Sequence, residues 1–310
     1  MRTDLEAMHY PLVLDGGLSN VLESMGCDLG QRLWSAAMLL TDPDALVRAH
    51  LAYLRAGADI ITTASYQASI AGFVEAGRSV AEAEALLRRS VELAERARAR
   101  YRAECPDGAD VLIAASIGPY GACLADGSEY TGVYEAGDEE LRAFHEPRLR
   151  IIAGSGPDLL AFETLPCLRE IAILADLLDG VTIPAWFSFC CRDASHLHDG
   201  ASLSEAIALL KDLPVVFALG ANCTAPEYIA DVIRLVQEEA PDKRVVVYPN
   251  SGEAYDAATG GWRETGEHGD FRRMAAEWIA LGADIVGGCC RIGPDHIRSI
   301  RRLVSATGGA

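Results

Sequence analysis

Positive charge is scarce in this 310-residue chain, where 27 Lys and Arg stand against 45 Asp and Glu for a formal net charge of −18. That imbalance argues against a nucleic-acid or anionic-membrane partner, whose contacts depend on clustered cationic side chains. Neutral or cationic small molecules remain as partners. Long apolar runs are missing too. None approaches the roughly 20 residues that span a bilayer, so no membrane partner is expected. The opening residues, MRTDLEAMHYPLVLDGG, carry acids early and lack a basic region followed by an apolar stretch, so no secretory leader is read there and a cytoplasmic location is expected. No low-complexity segment or linker interrupts the chain, which reads as one domain over residues 1–310. G-x-S-x-G, H-E-x-x-H and Walker patterns are absent, and no glycine-rich phosphate turn follows the first apolar run.

Half of the residues are apolar and 23% are charged, the proportions of a folded globular chain. Eight short apolar runs recur, at 12–17, 58–66, 110–118, 158–166, 183–191, 215–223, 244–252 and 283–290. Most are rich in Val, Ile, Leu and Ala on both faces, as parallel strands covered by helices are. Between them lie stretches with apolar residues at three- and four-residue spacing, at 45–57, 79–101, 202–213, 225–240 and 271–282. Gly57 and Gly282 stand as helix stops, and Ser202 or Ser204 as a cap. Eight strand–helix units of roughly 39 residues each suit a closed (β/α)8 TIM barrel in the α/β class. A doubly wound sheet could hold the same elements, but the phosphate turn that would support it is missing. Polar or reactive residues gather at the C-terminal ends of the runs: Asp15, Thr63, Ser65, Ser116, Glu163, Thr164, Ser188, Asn222, Cys223, Asn250, Ser251, Cys289 and Cys290. In a barrel those ends form one rim, where active sites are built.

Nine cysteines is an odd number in a chain too long to need disulfide staples. Buried thiols, metal ligands and nucleophiles are the open readings. Cys223 closes the sixth run, and Cys289 and Cys290 close the eighth. Adjacent strand residues point to opposite faces, but Gly287 and Gly288 just before the pair supply the freedom to break that alternation. Three thiolates meeting at one point favour Zn2+, and three protein ligands instead of four leave a position open for substrate. The plainer alternative is that each is a small buried apolar residue. Cys190, Cys191, His196 and His198 form a second compact group, without the paired spacing of a zinc site. A thiol entering an open three-thiolate zinc site would lose its proton and remain nucleophilic at neutral pH. In an acidic pocket it would suit attack on a cationic carbon donor such as a sulfonium methyl.

The segments LDGGLSNVLE, TTASYQAS, GPYGACLADGSEYTGVY, FETLP, GANCTAP, YPNSGEAYD and GGCCRIGPDHI together resemble the homocysteine S-methyltransferase family across essentially the whole chain. The pairing of GANC with GGCC is the most specific part. The resemblance implies a zinc-dependent transfer of methyl from S-methylmethionine or S-adenosylmethionine to homocysteine, forming methionine. Cys223, Cys289 and Cys290 would then ligate Zn2+, Asp15, Gly16 and Gly17 would sit at the barrel mouth, and Glu163 would accept from the substrate ammonium. Thr63, Ser65, Asn222 and the segment 248–253 are placed more loosely as substrate contacts. Tyr120, Tyr130, Tyr134 and Trp262 lie in loops that could cover the sulfonium. Cys190–Cys191 departs from the family pattern. A betaine-type donor, a selenium acceptor, or a non-catalytic zinc or thiol-redox protein stay open as alternatives. The assembly is expected to be a monomer or a small homo-oligomer.

Overall fold

The computed structural model describes residues 5, 8–30, 33–106, 108–252, 254–256, 261–263 and 270–307. Eight parallel strands alternate with eight long helices. The strands are β1 (Leu12–Val13), β2 (Ile60–Thr62), β3 (Leu112–Ile117), β4 (Leu159–Leu165), β5 (Ala185–Phe189), β6 (Val216–Asn222), β7 (Arg244–Tyr248) and β8 (Ile285–Val286). Each pairs with its sequence neighbour, β1 pairs with β8, and a bridge between Leu14 and Ile60 closes the gap from β1 to β2. This is a TIM barrel and not an open doubly wound sheet. Among the described residues, no helix is long and apolar enough to cross a membrane.

Following the strands in order are α1 (Pro43–Ala56), α2 (Val80–Glu104), α3 (Asp138–Ala153), α4 (Leu168–Asp176), α5 (Leu203–Leu210), α6 (Ile229–Glu239), α7 (Phe271–Ala280) and α8 (Pro294–Thr307). Their ends follow local chemistry. Asp42 accepts from the Ala45 N–H at the start of α1, and Gly57, at φ 101°, ends it in the left-handed conformation. Ser79 with Glu82 and Ser202 with Glu205 form capping boxes on α2 and α5, so Ser202 and not Ser204 is the cap.

Alternation along the strands divides the core in two. Leu12, Leu14, Ile60, Leu112, Ala114, Leu159, Ala161, Trp186, Ala218, Val246 and Ile285 fill the barrel interior. Val13, Ile61, Ile113, Ala115, Leu160, Phe162, Phe187, Leu219, Val245, Val247 and Val286 face the helices. Burial on both faces is why the runs read as continuously apolar. Several observed strands are shorter than the apolar runs, because the last residues of each run leave the ladder to form the rim.

Candidate active site

The rim encloses a cavity of about 750 Å3, lined from β1 and its following loop, the β2 and β3 loops, and the ends of β4, β6, β7 and β8. Cys223 follows β6 with φ 48°, a left-handed conformation unusual for a residue with a side chain. The Cys289–Cys290 pair lies in a turn after β8, where the Cys289 N–H donates to the Pro249 carbonyl at 2.8 Å and the Ile292 N–H returns to the Cys289 carbonyl at 3.2 Å. Strand alternation therefore does not apply to the pair. Gly287 and Gly288 serve a different end from the one expected. Neither has a positive φ; instead a Cβ on Gly287 would stand 2.6 Å from the Asp15 carbonyl oxygen, and one on Gly288 would enter the Ile292 side chain. The glycines give room for the cysteine turn to lie against the β1 loop. Tyr53 fastens the two from below, its hydroxyl donating to the Gly17 carbonyl at 2.7 Å and the Ile292 carbonyl at 3.1 Å.

The sulfurs of Cys223, Cys289 and Cys290 all lie within 4.8 Å of one another. Cys223 and Cys289 are joined as a disulfide with Cα atoms 5.6 Å apart, and the Cys290 sulfur is 4.0 Å from that of Cys289. Ions bound by thiolates at about 2.3 Å need sulfurs at this kind of separation, so the set fits a soft divalent metal once the disulfide is reduced. Burial pushes the Cys290 thiol up to about 12; without a neighbouring cation it stays protonated. Cys190 packs against this group, its thiol 3.6 Å from the Cys223 carbonyl, while Cys191 belongs to the outer core. The Cys190 and Cys191 side chains thus part, and His196 turns to Asp193 at 2.9 Å.

Two buried carboxylates face the same cavity. Asp15 accepts from the Thr62 N–H at 2.8 Å and the Thr62 hydroxyl at 3.2 Å. Glu163 takes hydrogen bonds from the Ser116 hydroxyl and, at 3.1 Å, from the Tyr248 hydroxyl. Tyr248 is itself oriented by the Trp186 indole N–H at 3.0 Å and by Ser188. Burial lifts Asp15 well above the usual carboxylate range, with the neighbouring Glu163 charge adding to the rise against the Thr62 hydrogen bonds. Burial also raises Glu163, opposed by Ser116, Tyr248 and the Arg148 charge. Arg148 does not line the cavity: behind its wall it donates to the carbonyls of Gly118, Ser65 and Tyr66 at 2.8, 2.7 and 2.6 Å. Six carboxylates border the cavity, from Asp15, Glu23, Asp28, Asp126, Glu129 and Glu163, and the described lining residues include no Lys, Arg or His.

Gly16, Gly17, Thr63 and Asn222 also line the cavity, whereas Ser65 does not. Ser65 is fully buried and joins Thr63 at 2.6 Å and the Ser116 carbonyl at 2.7 Å, so it stands behind the residues that hold Glu163. Asn222 braces β4 to β6, accepting from the Thr164 N–H at 2.6 Å and donating to the Thr164 hydroxyl at 2.7 Å. Of the loop aromatics, Tyr130 reaches the cavity, while Tyr120 and Tyr134 pack on each other with ring centroids 5.5 Å apart. Glu253 and the Trp262 side chain lie outside the described residues. Sequence reasoning did not single out Trp34, Thr62, Tyr66, Gln67 or Glu129, all of which border the cavity. One signal points to Trp34 among these after the fact: the described non-glycine residues with positive φ are Trp34, Ala125, Thr164, Cys223 and Arg291, four in the cavity wall and the fifth next to Cys290. Backbone strain of this kind gathers where a site demands it.

A family model described as homocysteine S-methyltransferase matches residues 12–304. The homocysteine S-methyltransferase of Escherichia coli K12 is 46% identical over 292 residues, covering 94% of each chain. A selenocysteine Se-methyltransferase of Brassica oleracea is 46% identical over 310 residues, covering 94% of this chain and 89% of the relative. The crystal structure of the Escherichia coli homocysteine methyltransferase in its metallated form superposes with a TM-score of 0.86 at 42% identity, covering 96% of this chain and 98% of that one. With the match running through every strand of the barrel and both cysteine loops, the chain belongs to the homocysteine S-methyltransferase family.

Proposed function

We propose that this homocysteine methyltransferase takes its methyl group from a sulfonium donor, S-methylmethionine or S-adenosylmethionine, and works with Zn2+ held by Cys223, Cys289 and Cys290. The reading includes a single homocysteine-binding barrel domain over residues 1–310, a cytoplasmic location that keeps the thiols reduced, and a monomer or small homo-oligomer. One observation carries it: three sulfurs within 4.8 Å of one another border the same cavity as two buried carboxylates that lack a cation. The all-sulfur donor set favours a soft ion. Such an ion supplies an open coordination position at which a thiol gives up its proton and stays nucleophilic at neutral pH.

The remaining work belongs to the chain. Asp15 and Glu163 accept from the homocysteine ammonium, which restores their charge against the burial that raises them. Thr62, Ser116 and Tyr248 hold those carboxylates in place. The acidic wall draws in a cationic donor and sets it beside the acceptor sulfur, so proximity lowers the barrier. A new bond forms between the acceptor sulfur and the methyl carbon, the donor carbon–sulfur bond breaks with its electron pair left on the donor sulfur, and the thiol proton passes to solvent. From S-methylmethionine both products are methionine. A selenol acceptor is a second reading, favoured by the 46% identity to a selenocysteine Se-methyltransferase.

Methyl-labelled S-methylmethionine, S-adenosylmethionine and betaine, each supplied with homocysteine to the reduced, zinc-loaded protein, test the donor. Label is expected in methionine from a sulfonium; label from betaine alone overturns the choice. Cys223→Ser is expected to lose both bound zinc and transfer, and full turnover without the metal would remove the metal from the reaction.

A further inference from the structure

The two carboxylates just described account for one ammonium group. On the loops after β2 and β3, which follow the strands lying between those of Asp15 and Glu163, two more acceptors have no partner. They are Oε2 of Glu129 and Oε1 of Gln67, both buried in residues that border the cavity. Gln67 is 7% exposed, and its amide is oriented by its own Nε2, which donates to the Ala122 carbonyl at 2.7 Å. That bond uses the nitrogen and leaves the oxygen as an acceptor. Glu129 sits in the short 3-10 turn Ser128–Tyr130, on the same loop as Ala122. Unpaired buried acceptors are rare enough in folded proteins that each calls for an explanation. None of the described lining residues is a cation, and Arg148 behind the wall donates to the backbone carbonyls of Gly118, Ser65 and Tyr66.

We infer that Glu129 and Gln67 receive the ammonium group of the methyl donor, so that the donor is selected as an amino acid and not merely as an alkyl cation. This assignment rests on the sulfonium reading above and adds to it the residues that discriminate between donors. The chemistry separates candidates. A primary ammonium brings three N–H donors, which is what two orphaned acceptors lack. A sulfonium centre or a quaternary ammonium brings none, so either can be attracted by the acidic wall but cannot satisfy these two oxygens. The acidic wall supplies the attraction, and the pair of acceptors supplies the discrimination. Burial holds Glu129 above the ordinary carboxylate range, with Asp126 adding to the rise; an arriving cation offsets that rise. The two handles stand on different loops from Asp15 and Glu163, so each of two amino-acid substrates has its own.

The test compares S-methylmethionine with its deamino analogue, 4-(dimethylsulfonio)butanoate, on the reduced, zinc-loaded full chain. Unmodified protein is expected to favour S-methylmethionine at least tenfold in kcat/KM. Glu129→Gln is expected to raise KM for S-methylmethionine about tenfold, to raise that for the analogue, which feels only the lost wall charge, by no more than about twofold, and to keep KM for homocysteine within twofold. Gln67→Met is expected to shrink the same preference about threefold. A ratio between two donors measured on one variant does not depend on how much of it is folded. Equal losses with both donors, or a preference that survives both substitutions, overturns the assignment. Calorimetric titration of each donor reports the preference without turnover: a binding preference that depends on Glu129 in a protein that transfers no methyl supports this subsite and defeats the reaction instead.

Discussion

Glu163 and Glu170 stand seven residues apart, one at the end of β4 and the other in α4, and both are buried. Their chemical states are opposite. Burial alone would raise Glu170 too, but the His145 hydrogen bond at 2.7 Å, the Tyr134 hydroxyl and the Tyr120 N–H at 2.6 Å outweigh it and hold the carboxyl below its ordinary value. Nδ1 of His145 has no partner, which suits a neutral ring whose proton sits on Nε2. Glu163 has two hydroxyl partners and is raised. The chain thus satisfies Glu170 with its own donors, fastening the loop after β3 to α3 and α4, and leaves Glu163 short of a cation. Under the proposed function, the difference separates a carboxylate that holds the scaffold from one that waits for substrate.

Four measurements sharpen or break that contrast. Glu170→Ala strands three buried donors and should cost about 3–5 kcal/mol of stability, read as a lower urea midpoint; an unchanged midpoint would deny Glu170 its structural role. Glu163→Gln keeps the shape but removes the charge, so KM for homocysteine should rise about tenfold or more, equivalent to ~1.4 kcal/mol, with the midpoint unmoved. A large stability loss there would erase the distinction. The pH dependence separates the two again. Asp15 and Glu163 are raised, so they lose charge as pH falls through values above the ordinary carboxylate range, and KM for homocysteine should climb by up to tenfold per unit there. Glu170, held low, keeps its charge through that window, and its contribution is lost only as pH falls through its depressed value. A flat KM profile would contradict the raised pair. The smallest effect is that of Tyr134→Phe, which removes one donor of several from Glu170 and should cost about 1 kcal/mol with kinetics unchanged.

The sequence was most legible where periodicity or chemistry is local. Runs apolar on both faces gave the eight strands, and their number gave the barrel. The rim cysteines announced themselves because Cys223 and the Cys289–Cys290 pair end strands that a barrel brings close. What stayed hidden depends on long-range approach. His145 has no ligand or triad spacing because its partner Glu170 is 25 residues away on another helix. Ser65 reads like Thr63 from the pattern, yet it falls behind the wall while Thr63 faces the cavity. Gly287 and Gly288 were legible as necessary but for a different reason, since the need is space beside Asp15 and Ile292 and not backbone freedom to break the strand alternation. Glu129 stands in an irregular loop where no period marks an inward side chain.

An acidic wall with no cation among its described residues also bears on how a cycle ends. Under the proposed reaction a sulfonium donor enters with one more positive charge than the thioether that leaves, because the departing sulfur keeps the bonding pair. The field that captures the reactant therefore loosens its grip on the product at the moment of transfer. Discharge of that centre gives the reaction a built-in exit step that needs no gate.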